Sequence, residues 1–389
     1  LFDLFRQSEK NGQPNYLALC GFLIVVFRSA KDRNKASFTE RKATLVYRTM
    51  FTASHFKSME SSLRQVLSQY DLPSISQIQS LGSAGGFSGA HLWKVNTDAS
   101  GFCLRRWPTP HPDADRLNWI HRVIRHAYHN DCPFLAVPRL TTGGDSFVRY
   151  QDSFWEVSHW MPGVANFLED GNETRLKNMM RALARYHQTA AQVSLDFRPS
   201  SNLKSRIEQL QKLPRTVQQL VNVPLSFIGS PEVCDAVESL RRTILKNGES
   251  TGKRLLQSLR PLAGVVFPVQ PILRDIWHDH VLFTGDEVTG VVDFGAMQMD
   301  NIAFDISRLL GSTIADSTTR WPLAVEIYSQ TRPLMDSETV LIPLLDQTTT
   351  LLGSVNWLKW ICLERRQFED WSSVISRLAF LRGRLSHQL

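Results

Sequence analysis

From Ile75 onward, apolar and polar positions follow patterns that name their elements. Alternation over Ile75 to Leu81, His91 to Val95 (HLWKV) and Phe102 to Trp107 (FCLRRW) predicts three strands. A glycine-rich turn, LGSAGGFSGA, joins the first two, and Pro108 and Pro110 close the third. Residues Arg116 to His129 switch to helical spacing, with Leu117, Ile120, Ile124 and Ala127 on one face. Ser146 to Tyr150 and Phe154 to Ser158 return to strand character before the bend Trp160-Met161-Pro162-Gly163. Three strands, a helix and two strands predict a small sheet with one helix packed on it.

Beyond Gly163 the period stays helical. Glu173 to Val193 carries Leu176, Met179, Met180, Leu183 and His187 on one stripe. Ser205 to Val221, Glu232 to Asn247, Phe304 to Leu310, Ala324 to Gln330, Val340 to Trp360 and Trp371 to Leu385 read as further helices, interrupted by a β-rich island over Val265 to Phe294. Upstream, Ser61 to Tyr70 predicts a short helix. The run Tyr16 to Phe27 is apolar but, at 12 residues, short of the roughly 20 that span a bilayer. The expected organisation is α+β: a basic extension over 1–58, a β-rich lobe over 59–160 and a helical lobe over 161–389.

Charge narrows the classes of partner. The net charge of +7 is concentrated in residues 1–58, which hold ten Lys/Arg against four Asp/Glu. The remainder holds 34 basic and 33 acidic residues, so no broad nucleic-acid footprint is expected. No membrane partner is expected either. The five cysteines (Cys20, Cys103, Cys132, Cys234, Cys362) form no C-x-x-C pair. That pattern fits a reducing cytoplasm rather than a disulfide framework or zinc site.

The chemistry concentrates in PILRDIWHDHVLFTGDEVTGVVDFGAM, residues 271–297. Asp275 and Asp293 lie where the backbone is irregular, on either side of a predicted hairpin. A turn centred on Asp286-Glu287 would set His280 opposite Asp293. Opposed Cβ atoms lie about 4.5–5.5 Å apart, near enough to share one cation. Such an arrangement suits phosphoryl transfer. A triphosphate needs Mg²⁺, which favours carboxylate and phosphate oxygens, and a second carboxylate can aim a hydroxyl and take its proton. Gly82, Gly85, Gly86 and Gly89, between two strands, suggest a phosphate cradle.

These segments resemble the aminoglycoside phosphotransferase and choline kinase family, whose members have a protein-kinase-like two-lobed fold. The family's loop reads H-G-D-x-x-x-x-N, followed by a hairpin and I-D-F. Asp275 stands at the catalytic Asp, His280 at the metal-binding Asn and Asp293, in Val-Asp-Phe-Gly, at the metal-binding Asp. The resemblance implies that Asp305 in FDISRLLG braces the catalytic loop. It places Gly85, Gly86 and Ser88 in the nucleotide loop, Arg105 of CLRRW at the phosphates, and Trp160 and Met161 along an adenine slot. LARYHQTA (Leu183 to Ala190) resembles the family's L-a-x-L-H segment. ATP, Mg²⁺ and a small-molecule hydroxyl acceptor are implied.

This sequence departs from the pattern at three points. Leu273-Arg274 replaces His-Gly, His280 replaces Asn, and the helix Arg116 to His129 has no Glu for Arg105, carrying His121 instead. Two alternatives follow: a degenerate kinase that binds a nucleotide or metabolite without turnover, and a metal-dependent hydrolase using Asp275, His278, His280 and Asp293. Among the remaining polar candidates, His278 and Asp279 read as solvent-facing, His280 serves equally as a loop brace, and His187 reads as a satisfied core histidine.

Overall fold

The computed structural model describes residues 18–19, 22–23, 53–82, 89–109, 111–221, 223–225, 230–368 and 370–388. The chain divides into two compact units, 1–72 and 73–389. In the first, β1 (Ala18–Leu19) pairs antiparallel with β2 (Phe22–Leu23), and α1 spans Ala53–Leu67. Among the described residues no helix is long and apolar enough to cross a membrane.

The second unit begins with an antiparallel sheet of order β3-β4-β5-β7-β6. Its strands are β3 (Ile75–Gly82), β4 (His91–Thr97), β5 (Gly101–Arg106), β6 (Val148–Tyr150) and β7 (Ser153–His159). Alternation drives it: Trp93, Val95, Phe102, Leu104, Trp155 and Val157 are buried while their strand neighbours, Glu156 excepted, are not. Helix α2 (Ala114–His129) starts at Asp113, whose carboxylate accepts the Arg116 amide at 2.8 Å. Its stripe of Leu117, Ile120, Val123, Ile124 and Ala127 is wholly buried. Each large side chain so buried contributes about 1.5–3 kcal/mol.

The helical lobe contains α3 (Phe167–Asp170), α4 (Glu173–Ala191), α5 (Ser201–Val221), α6 (Pro231–Leu259), α7 (Ala303–Thr313), α8 (Arg320–Thr331), α9 (Asp336–Leu358) and α10 (Trp371–Gln388). A second sheet, β8 (Asp196–Arg198), β9 (Phe267–Ile272) and β12 (Gln298–Asp300), has β9 at its centre, and every β9 residue is buried. Asp300 ends β12 and starts α5, accepting from Ser201 Oγ and the Asn202 amide at 3.0 and 2.9 Å. Helix α6 runs 12 residues past the expected end at Asn247, through Gly248 and Gly252. A Cβ on Gly252 would clash with Leu213 Cδ2, so the glycine lets α6 lie close on α5.

Between the lobes stands the hairpin β10 (Val281–Thr284) and β11 (Glu287–Val291). Both edges are covered, which removes the hazard of open strands. Val164 and Phe283 exchange amide bonds of 3.0 and 2.9 Å on one side, and the Val291 amide donates to Phe134 O at 2.7 Å on the other. Gly163 makes the first contact feasible. Its φ is 92°, and a Cβ there would sit 2.5 Å from Thr289 Oγ1 and 2.6 Å from Phe283 O.

The hairpin register differs from expectation by one residue. The turn is Gly285-Asp286, and Val281 pairs with Val291. His280 therefore opposes Val292, whose amide donates to His280 O at 3.0 Å. A bulge follows Leu282↔Gly290, leaving Thr289 unpaired in the ladder. Its hydroxyl donates to Pro162 O at 3.0 Å instead.

Candidate active site

The loop after β9 carries Asp275, and its backbone is held from below. Asp305, wholly buried on α7, accepts the Leu273 amide at 2.7 Å and the Arg274 amide at 2.6 Å, the brace expected of it. Arg274 adopts a φ of 66°, a left-handed conformation that a side chain disfavours by roughly 1–2 kcal/mol. The two charge-assisted bonds to Asp305 offset that strain.

His187 is more than core filling. It is fully buried on α4, with Nε2 3.0 Å from Asp305 Oδ2 and Nδ1 2.7 Å from Tyr328 Oη. Burial pulls its pKa below the usual imidazole value, against the opposing pull of Asp305. The neutral ring then donates from Nε2 to Asp305 and accepts the Tyr328 hydroxyl at Nδ1. This chain of Tyr328, His187 and Asp305 fixes the carboxylate that shapes the Asp275 loop.

Asp293 follows β11 and its extension, with its own left-handed φ of 67° turning it out of the strand line. His280 lies between it and the first loop. Its Nδ1 is 2.9 Å from Asp275 O, and its Nε2 is 3.7 Å from Asp293 Oδ2. The same Nε2 accepts the Trp277 indole N–H at 2.8 Å. Both ring nitrogens are thus engaged, Nε2 by Trp277 and not by Asp293, and His280 ties the two aspartate loops through Nδ1 to Asp275 O and through its own carbonyl, which accepts the Val292 amide. Burial lowers its pKa, consistent with a neutral ring that donates from Nδ1.

Arg105 completes the cluster from the β-rich lobe. Its Nη1 donates to Asp293 Oδ1 at 2.9 Å, and its guanidinium lies over the Trp107 ring at 4.7 Å. Arg106 points the other way, toward His91 and Trp155, as strand alternation requires. The carboxylate missing from α2 comes from the sheet. Glu156, directly across from Arg105 in the β5–β7 ladder, places Oε1 3.8 Å from Arg105 Nε. Its Oε2 accepts Trp107 Nε1 at 2.9 Å and His121 Nε2 at 2.8 Å. Burial alone would raise the Glu156 carboxyl. The His121 hydrogen bond, with the charges of His121 and Arg105 and the Trp107 bond, holds it below the usual range instead. Asp293 is likewise depressed: burial opposes this, and Arg105 overcomes it.

Two further features concern the expected ligand contacts. Trp160 donates its amide to Gly101 O at 3.0 Å and holds Lys94 over its ring at 4.6 Å. Met161 packs its Cβ near Gly290 of β11. Both therefore lie on the bend joining the lobes. Gly85, Gly86 and Ser88 fall outside the described residues. At Asp275 an unexpected partner appears: Arg308 of α7 donates twice to Oδ1, from Nε at 3.1 Å and Nη2 at 2.9 Å. Its spacing, one helical turn after Asp305, was the available sequence signal. Among the described residues no three of His, Cys, Asp and Glu converge as a metal-binding group. The hydrolase alternative therefore has no ready-made metal centre there.

Comparison with known proteins bears on the family and the fold. The chain resembles a homoserine kinase of Agrobacterium fabrum, 33% identical over 89 residues, which span 22% of this chain and 28% of that kinase. A homoserine kinase of Rhizobium rhizogenes is likewise 33% identical over 85 residues, or 26% of its length. The chain thus spans under a third of these curated relatives. Among solved structures, a spectinomycin phosphotransferase in complex with ADP and spectinomycin superposes with a TM-score of 0.61 at 11% identity, over 83% of this chain and 93% of that one. An amicoumacin kinase bound to AMP-PNP and Ca²⁺ gives 0.58 at 16% identity, over 87% and 96%. At these identities the likeness establishes the two-lobed fold. A profile of the phosphotransferase enzyme family matches residues 83–336, and the chain belongs to that family.

Proposed function

We propose that this protein transfers the γ-phosphoryl group of ATP to a hydroxyl of a small molecule. The observation that supports this most directly is the joining of the Asp275 and Asp293 loops through His280, whose Nδ1 donates to Asp275 O and whose carbonyl accepts the Val292 amide, with Arg105 reaching Asp293 from the opposite lobe. Asp275 orients the acceptor hydroxyl and takes its proton. One of its oxygens is engaged by Arg308, which aims the carboxylate. Arg105 is steadied by Glu156 and contacts the phosphates alongside the glycine turn. Trp160 and Met161 border the adenine.

Asp293 fits a hard divalent cation such as Mg²⁺. It is a depressed carboxylate, 42% exposed, in a cluster that leaves further ligand positions to phosphate oxygens. His280 suits the role of loop brace better than that of ligand, because its two nitrogens already serve Asp275 and Trp277. The bound cation would neutralise charge on the β- and γ-phosphates.

The test is ATP turnover over a panel of small alcohols. Asp275→Asn and Asp293→Asn should each lower kcat by about 10²–10⁴. Variants as active as the wild type would remove the assignment. A binding-only protein is the second reading, favoured by the Arg308 grip on Asp275. It predicts that Mg-ATP raises the melting temperature while no phosphate is transferred.

A further inference from the structure

The phosphoryl acceptor meets an unusual electrostatic floor beside Asp275. Arg308 on α7, which grips Asp275, stands among three further arginines from three other segments: Arg377 on α10, Arg206 on α5 and, next to Arg206, Arg274 on the loop. Arg308 and Arg377 both stand against the Trp277 ring, their guanidinium carbons 5.9 and 6.0 Å from its centre. Arg206 lies 5.9 Å from the Phe304 ring, and its Nη1 donates to Thr348 Oγ1 at 3.3 Å. Arg377 lies 5.4 Å from the Phe380 ring. The aromatic rings and a hydroxyl fix these guanidinium groups without neutralising them.

The charges around them do not balance. Arg206 has no carboxylate acting on it; its charged neighbours are Arg308 and Arg274. Burial and those two charges bring its pKa down to about 10. Arg377 behaves in the same way, brought to about 10 by burial and Arg308, with Asp275 the one acid opposing. Nearby Arg384 is different, because Asp316 and Asp346 both pair with it. Half-buried guanidinium groups kept together without counter-ions are costly, and arginine is the side chain whose planar fork matches carboxylate and phosphate oxygens.

We propose that the acceptor is an anionic alcohol, carrying a carboxylate or phosphate that is drawn to the row of arginines centred on Arg308, with Arg377 on one side and Arg206 on the other, while its hydroxyl meets Asp275. This rests on the phosphotransferase reading above and sharpens it to a substrate class. The aromatic rings of Trp277, Phe304 and Phe380 would flank the short carbon chain between the two ends. Arg308 touches both Asp275 and the cluster, so it sets the distance between hydroxyl and anion.

Radiolabelled ATP supplied with three matched sets of alcohols tests the class. The anionic set is 4-hydroxybutyrate, glycerate and glycerol 3-phosphate; the neutral set is glycerol and butane-1,4-diol; the cationic set is choline and ethanolamine. Label should pass to the anionic set alone, and the better of its carboxylate and phosphate members identifies the anion. Arg206→Met and Arg377→Met should raise the acceptor KM at least tenfold and leave the ATP KM within twofold. Arg206→Lys, which preserves charge and folding, should fall between. Equal labelling of neutral or cationic alcohols overturns the inference and leaves the kinase reading standing. So does a rise in the ATP KM instead, which would assign the cluster to the nucleotide. If no alcohol is labelled, the kinase reading is the one challenged, and calorimetry decides the anion question separately. The Mg-ADP-loaded protein is titrated with 4-hydroxybutyrate and with glycerol 3-phosphate. Binding weakened tenfold or more by both Met variants supports the inference. No binding, or binding that the variants leave unchanged, overturns it.

Discussion

The two ends of the site handle charge in opposite ways. At the Arg105 end, one guanidinium stands between Glu156 and Asp293, and Glu156 is further satisfied by His121 and Trp107. At the Asp275 end, one carboxylate pairs with Arg308, and Arg377, Arg206 and Arg274 extend the positive charge beyond that pair. The first end is matched within the protein and written into the β5–β7 register. The second is left with a surplus of positive charge. A matched end is rigid before anything binds, whereas a mismatched end gains its partner from solution.

The largest effect is expected from cutting the matched end. Glu156→Leu leaves Arg105, His121 and Trp107 without their shared acceptor. Removing one member of such a buried network costs about 3–5 kcal/mol, readable as a lower urea midpoint. The same carboxylate gives a pH signature. Its folded-state pKa lies below its unfolded value, so the folded protein binds fewer protons there and stability rises with pH. That contribution is present above the unfolded carboxyl value near 4.5 and is lost as pH falls through the folded value. Melting curves of wild type should therefore drop faster below pH 4.5 than those of Glu156→Gln.

Smaller changes sharpen the mismatched end. Arg274→Gly releases a left-handed side chain, a gain of roughly 1–2 kcal/mol, less about 0.5–1 kcal/mol for glycine's added freedom when unfolded. A slightly higher melting temperature is expected, and a lower one would show that the Arg274 side chain is anchored. Arg308→Met removes the like charge that pairs with a half-exposed Asp275. Its stability should stay within about 0.5 kcal/mol of wild type in the same urea series. A loss of several kcal/mol would mean that the acceptor end is as tightly matched as the other.

Much of the fold could be read from periodicity, since the strands and helices with an amphipathic stripe fall close to their expected places. The errors arise where tertiary contact outweighs pattern. The helix expected to stop at Asn247 continues through Gly248 and Gly252, and the close approach of Leu213 to Gly252 makes glycine useful inside α6. The hairpin register shifted because the turn falls one residue early, at Gly285-Asp286, and the bulge at Thr289 takes back part of the difference. Of the site, the two aspartate loops were expected from spacing, and the Asp305 brace from the resemblance to the family. Glu156 was not, because an interaction across β5 and β7 joins residues far apart in sequence. Its clue was a lone acid among Phe154, Trp155 and Val157. Arg206 and Arg377 were equally hidden, since nothing local marks helices that meet only after folding.

The strap at Gly163 has a mechanical consequence. The segment that leaves the β-rich lobe is zipped by Val164 to Phe283, on the hairpin whose far end presents Asp293. A swing of that lobe therefore tugs the hairpin along with it, and the crevice cannot widen without disturbing the acidic tip. Opening for nucleotide exchange and placement of that acid are geared together, with a single residue lacking a side chain as the bearing.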